Sequence, residues 1–295
     1  MSGRLSFERD GKDWPNREAS RFIKAAGLMW HVQVMGRGPV ILLVHGTGAS
    51  SHSFADLAQI LAQAFTVVVP DLPGHGFTEM PPSSRMSLPG MAEDLAALLG
   101  ALKLAPDLAV GHSAGAAILI EMCLDKRIAP RSIVGINAAL LPFKSFAGQF
   151  FSPLAKLLVL NPVMPGILSW TAGTGGAVER LIGNTGSKIS PSGIALYERL
   201  FKSRAHVAAA MSMMANWDLF ALERRLDRLD TPLILVVGTG DKAISPDDAF
   251  KLRERLPHAE IVTLRGLGHL AHEERPEDIA EIVAKAGRPI LAAAG

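Results

Sequence analysis

Gly111-His112-Ser113-Ala114-Gly115 follows the apolar run Leu108-Ala109-Val110 and precedes an apolar stretch from Ala116 to Leu124 that suits a buried helix. Strand, tight turn and helix are the context in which G-x-S-x-G becomes a nucleophile elbow. The serine must take a strained backbone angle so that its Oγ stands clear of the sheet. The flanking glycines remove side chains that would collide where strand and helix pass closely. The helix beginning behind Ser113 also aims unpaired N–H groups at any negative charge that develops there. A five-residue pattern is weak evidence alone, so the reading turns on whether a base, an acid and an oxyanion hole occur elsewhere.

Working outward, strands and helices alternate. Arg21 to Met35 reads as two strands with Ala26-Gly27 as the turn. Val40–Val44 and Phe65–Val69 are continuous apolar runs, as expected of strands buried on both faces. Helices are expected over Phe54–Ala64 and Leu88–Leu102, and a strand over Ser132–Asn137. From Leu141 to about Asp218 the pattern is helical or irregular: Pro153–Leu160, Ala177–Ile182, Gly193–Lys202 and His206–Trp217. A connecting helix, Leu222–Leu229, leads back to strand Leu233–Val237, helix Pro246–Leu256, strand Glu260–Leu264 and helix Pro276–Lys285. Residues 1 to about 19 read as an irregular lead-in. This is the pattern of a doubly wound, mostly parallel α/β sheet with a helical cap inserted after the sixth strand. The expected division is a core of residues 1–141 and 219–295 and a cap of residues 142–218.

Ligands of such sheets bind outside the carboxyl ends of the strands. His45-Gly46-Thr47-Gly48, Asp71-Leu72-Pro73-Gly74-His75-Gly76 and Ser113 all fall at such ends. A serine needs a general base, because its hydroxyl is almost never ionised at neutral pH. His269 follows strand Glu260–Leu264 through Arg265-Gly266-Leu267-Gly268, and Asp241 follows strand Leu233–Val237 through Gly238-Thr239-Gly240. The order Ser113, Asp241, His269 is that of the serine–acid–histidine hydrolases built on this sheet. The oxyanion donors expected are the N–H groups of Ala114 and Thr47. His272 rivals His269, which is favoured because it lies nearer the last strand. Asp241 could instead cap a turn before Pro246. His45, His75 and His112 read as structural and Asp71 as a turn builder. Asn137 stands where another acid might, but an amide cannot fill that role.

Composition narrows the class. The 295 residues are 48% hydrophobic and 20% charged, as in a globular chain with a large core. Thirty basic and 28 acidic residues are well mixed, which gives no electrostatic case for nucleic acid. Cys123 is the only cysteine, so intramolecular disulfides and cysteine-rich metal sites are excluded. No cofactor or metal is expected. The polar start has no apolar signal core, and Leu157–Val178, although uncharged, is broken by prolines and glycines. A cytoplasmic protein without a transmembrane segment is expected, with contact at a membrane surface left open.

Together the five elements, His45–Gly48, Asp71–Gly76, Gly111–Gly115, Asp241 and Gly268-His269, resemble the α/β-hydrolase superfamily in kind and order over residues 20–287. Within it, the dehalogenases and epoxide hydrolases use an aspartate nucleophile, so Ser113 argues against both and is compatible with esterases, carbon–carbon bond hydrolases, thioesterases and perhydrolases. A narrower resemblance lies in Asp13-Trp14-Pro15-Asn16-Arg17, His45–Ala49, Ser87-Leu88-Pro89-Gly90-Met91, Gly111–Ala117 and Asn137–Pro142. These segments are similar to the BchO family, the magnesium-chelatase accessory proteins of bacteriochlorophyll-synthesising bacteria. That resemblance implies tetrapyrrole biosynthesis, a hydrophobic small-molecule substrate such as a tetrapyrrole ester, and contact with magnesium chelatase or another pigment enzyme. It leaves open a binding role in which the triad is inherited but unused.

Met211, Met214, Trp217 and Trp170 are the expected substrate-pocket side chains, since adaptable methionines suit a broad apolar pocket. Val207, Met211 and Met214 fall on one helical stripe, so part of that face is expected to be core.

Overall fold

The computed structural model describes residues 3–142, 164–172 and 176–294. Eight strands form one sheet: β1 (Ser20–Ala25), β2 (Leu28–Met35), β3 (Val40–Val44), β4 (Thr66–Pro70), β5 (Leu108–His112), β6 (Ser132–Ile136), β7 (Leu233–Gly238) and β8 (Glu260–Leu264). Their order is β1-β2-β4-β3-β5-β6-β7-β8. The β1–β2 hairpin is antiparallel and joins β4 antiparallel, whereas every pair from β4 to β8 is parallel.

The apolar runs are continuous because both faces of the sheet are covered. In β3, Leu42 and Val44 join one core cluster and Ile41 and Leu43 the other, the period-two split that a pleated strand imposes. The first face is packed by helices α3 (Leu88–Leu102) and α4 (Ala114–Leu124). The second is packed by α2 (Ala55–Leu61) and the C-terminal helix Pro276–Ala294.

Several local expectations change. The lead-in is ordered: α1 (Phe7–Asp10) precedes Trp14, which is 2% exposed and donates its indole N–H to Ser51 Oγ at 3.3 Å. Asp13 pairs with Arg199 at 2.6 Å, and the Gly3 carbonyl accepts from Ala205 N at 2.9 Å and from the Ser203 hydroxyl. This segment therefore ties the helical insert to the core. A 3-10 turn, Ser51–Phe54, precedes α2.

Between β6 and β7 lie α5 (Met164–Ala172), α6 (Ala177–Asn184), α7 (Pro191–Phe201) and α8 (Arg204–Asn216); the helix expected over 153–160 falls outside the described residues. The connecting helix starts earlier and splits into α9 (Leu219–Glu223), capped by Asp218, and a 3-10 turn, Leu226–Arg228. Arg225 between them turns toward Glu121 and Asp125. After α10 (Asp247–Arg255) and the short α11 (Ala271–Glu274), the last helix, α12 (Pro276–Ala294), runs past Lys285 despite Gly287 and Pro289. Ile290 is buried and joins the Phe65 cluster, so packing overrides the local breakers. Among the described residues no helix is long and apolar enough to cross a membrane.

Candidate active site

The carboxyl ends of β3, β5, β6, β7 and β8 meet at one edge of the sheet. Ser113 leaves β5 with φ 51° and ψ −117°, a strained conformation for a residue with a side chain. The turn is held on both sides: Ser113 N donates to Ile136 O at 3.0 Å, and Ala139 N donates to Ser113 O at 3.2 Å. A Cβ on Gly115 would stand 2.1 Å from the Val44 carbonyl oxygen, so only glycine lets α4 pass β3 this closely. Ser113 is partly exposed between buried His112 and Ala114.

Asp241 and His269 come together. His269 Nδ1 and Asp241 Oδ2 are 2.8 Å apart, with side chains 11% and 1% exposed. The other carboxylate oxygen accepts from Ala243 N at 2.8 Å and Ile244 N at 2.9 Å, so Asp241 builds its own turn as well as holding the imidazole. With Nδ1 engaged, His269 Nε2 is the nitrogen left for proton transfer. Among the described residues no hydrogen bond joins that nitrogen to Ser113 Oγ. Catalytic hydrogen bonds are often long in a ligand-free site and tighten on binding.

His269 is anchored by its backbone. Asn137, at φ 44°, donates through Nδ2 to the carbonyls of Gly268 at 2.9 Å and His269 at 2.8 Å, and its Oδ1 accepts from Gly238 N at 2.8 Å. One amide thus binds the roots of both the acid and base loops, a role hidden in the sequence because a lone Asn after a strand carries no motif. His112 Nε2 lies 3.0 Å from the same His269 carbonyl. Burial drives the His112 pKa well down, aided by the neighbouring His272 and His269 rings, so it is a neutral donor there.

The other motif residues are structural. His45 bonds its own loop through Gly46 O at 2.8 Å and accepts from Leu72 N at 2.9 Å, and burial pushes its pKa down to about 3. Asp71 accepts from Ser51 N, Phe77 N and His31 Nδ1; these partners outweigh burial and hold its carboxyl below the usual range. His75, fully buried against Pro73 O, is pushed down to about 4.

The rival His272 belongs to a second cluster. Its Nε2 lies 2.8 Å from Ser53 Oγ, which also donates to Glu273 Oε1. Tyr197 on α7 donates to the same carboxyl oxygen at 2.6 Å. Burial pushes His272 down to about 3 and Glu273 up to about 7. Ser53, His272 and Glu273 help line a cavity of about 310 Å³ bounded by α7 and Asp13–Pro15. This cluster is linked to the first by ring contacts, His112 lying 4.7 Å from His269 and 4.4 Å from His272.

At the expected oxyanion hole, Ala114 is buried behind Ser113, and Gly46 touches Ser113: a Cβ there would lie 3.0 Å from that of the serine. Thr47 follows, exposed, with its hydroxyl 3.4 Å from Met213 Sδ. The expected pocket residues scatter. Trp217 is packed in the main core with Met213 and Leu219, Met211 is half-buried, Met214 is exposed, and Trp170 is 73% exposed on α5. Part of the Val207–Met211–Met214 stripe is core, as expected, Val207 being buried and Met211 half-buried, but the main buried face of α8 lies beside it. That face carries His206, Val207, Ala210 and Met213, because His206 is drawn inward to Gly48 O at 3.0 Å and Gly76 N at 3.1 Å.

Residues 41–282 match the profile described as the Alpha/beta hydrolase family. The chain belongs to that family. It is 36% identical over 273 residues, 92% of its length and 95% of the relative, to the magnesium-chelatase 30 kDa subunit of Rhodobacter capsulatus. It is 27% identical to pyrrolizixenacetamide deacetylase of Xenorhabdus hominickii, covering 82% of this chain and 88% of that one. A crystal structure of an alpha/beta hydrolase fold protein from Burkholderia ambifaria superposes with a TM-score of 0.75 at 23% identity, covering 90% and 99% of the two chains. The last similarity speaks for the fold alone.

Proposed function

We propose that the chain is a serine hydrolase that cleaves an ester or related acyl bond of a hydrophobic substrate. The observation that carries this reading is the 2.8 Å contact of Asp241 with His269 Nδ1 beside a serine held at φ 51°. Ser113 Oγ attacks the acyl carbon while its proton passes to His269 Nε2, and Asp241 stabilises the imidazolium. The carbonyl oxygen takes up the negative charge and accepts from the N–H groups of Thr47 and Ala114, each such donor being worth about 3 kcal/mol. The imidazolium then protonates the departing alcohol as the C–O bond breaks. Water, deprotonated by His269, attacks the acyl-serine, and the imidazolium returns that proton to Ser113 Oγ as the acyl C–O bond breaks and the acid leaves. Residues 142–218 act as the cap over this edge, on a core of residues 1–141 and 219–295, and Met213 of α8 meets the Thr47 hydroxyl there. A fluorophosphonate probe should label the wild type and not Ser113→Ala; an unlabelled wild type would end this reading.

A second reading has its own support in the similarity to a magnesium-chelatase subunit. Here the chain binds a tetrapyrrole or a chelatase partner, and the fold serves as a scaffold. Complementation of a pigment-deficient deletion strain separates the two. Full rescue by folded Ser113→Ala favours binding, and failure to rescue favours catalysis.

A further inference from the structure

The loops bearing the acid and the base are gripped from the insert as well as from the sheet. After α6 the chain makes a tight turn, Thr185-Gly186-Ser187, with Gly186 at φ 86°. The Thr185 carbonyl accepts from Lys242 N at 3.0 Å, next to Asp241, and from the N–H of His269 itself at 3.3 Å. Ser187 Oγ accepts from Leu270 N at 2.8 Å, and Ser187 is only 3% exposed. The backbones touch: a Cβ on Gly186 would lie 2.0 Å from Gly240 O, and one on Gly268 would lie 2.3 Å from the Gly186 carbonyl carbon. Leu270 continues the contact into an apolar cluster with Val178 and Ile182 of α6 and Tyr197 of α7.

We propose that the Thr185–Ser187 turn positions the triad, with Ser187 as the residue through which the insert fixes the His269 loop. This rests on the serine-hydrolase reading and extends it: the insert completes the catalytic geometry in addition to covering it. The loop is held between Asn137 and His112 below and the turn above. A shift of the insert therefore moves acid and base together, whereas Ser113, anchored to β6, stays. Displacements of about 1 Å in such a geometry cost on the order of a hundredfold in rate.

The test compares Ser187→Ala with Ser187→Thr, which keeps the accepting hydroxyl, and with Ser190→Ala, which removes the cap of α7 in the same insert. Two readouts are used: the rate and apparent affinity of fluorophosphonate inactivation, and the downfield proton resonance of the His269 Nδ1–H that meets Asp241, assigned by its loss in His269→Gln. In Ser187→Ala the maximal inactivation rate should fall about a hundredfold at unchanged affinity, and the downfield resonance should weaken or move as it does in Asp241→Asn. Ser187→Thr should restore both, and Ser190→Ala should lower thermal stability and change neither. A folded Ser187→Ala with a wild-type downfield resonance overturns the proposal whatever the labelling shows. If the resonance changes but no form is labelled at Ser113, positioning stands and the hydrolase reading falls.

Discussion

Among the described residues the molecule holds two serine–histidine–carboxylate clusters joined through the ring of His112, and they are wired differently. In one, Asp241 bonds His269 Nδ1, leaving Nε2 and the hydroxyl of the half-buried Ser113 unengaged with each other. In the other, Glu273 bonds the hydroxyl of Ser53 directly while His272 Nε2 meets the same oxygen, and His272 Nδ1 is buried without a partner. The second serine is 3% exposed and also within 3.4 Å of Tyr197 OH. The same residue types thus give a candidate nucleophile in one place and a structural staple in the other. What differs is which atom the acid touches.

The contrast can be broken by substitution. Ser113→Ala should abolish fluorophosphonate labelling, a loss on the order of a millionfold in rate for a nucleophile of this kind, while Ser53→Ala stays within an order of magnitude of wild type. If the two serines contribute equally to labelling, the distinction is lost. Next in size, Asp241→Asn should cost about ten-thousandfold by leaving the imidazole in the wrong tautomer. Glu273→Gln, which meets a hydroxyl and no ring nitrogen closely, should leave kcat/KM for a chromogenic ester nearly unchanged.

The smallest effect concerns pH. His45, His52 and His272 are pushed down to about 3, and His75 to about 4, by burial. Their folded values lie below the unfolded one, so their contribution is present above about pH 6.5 and is lost as pH falls toward the folded values. Glu273, pushed up to about 7, works the other way: its contribution is present below the ordinary glutamate range and lost as pH rises through about 7. Urea denaturation between neutral and mildly acidic pH should show stability falling with acid, and more steeply in Glu273→Gln. A parallel dependence in the two proteins would show that Glu273 titrates as it does in the unfolded chain.

Much of the fold is legible in the chain because its strands are buried on both faces and therefore read as unbroken apolar runs. Val40–Val44, Leu108–Val110 and Leu233–Val237 fall where they were expected. The elbow is legible because strain and close approach demand glycine at fixed offsets. The pairing of Asp241 with His269 follows from their places after neighbouring strands. What is not legible depends on partners distant in sequence. The buried face of α8 is set by His206 reaching Gly48 and Gly76, the ordering of the lead-in by Trp14 reaching Ser51, and the extension of α12 by the Phe65 cluster. Asn137 and Ser187 announce nothing locally, since each acts through the main chain of another segment.

The ordered lead-in has a practical side. Its exposed Lys12 sits between the helix Phe7–Asp10 and the Asp13 that pairs with Arg199. A single nick there would unbolt a clasp on α7 while leaving every strand intact. Limited digestion should therefore free the lead-in from Arg199 of α7 before it reaches the sheet, seen as release of a short N-terminal fragment ahead of any other.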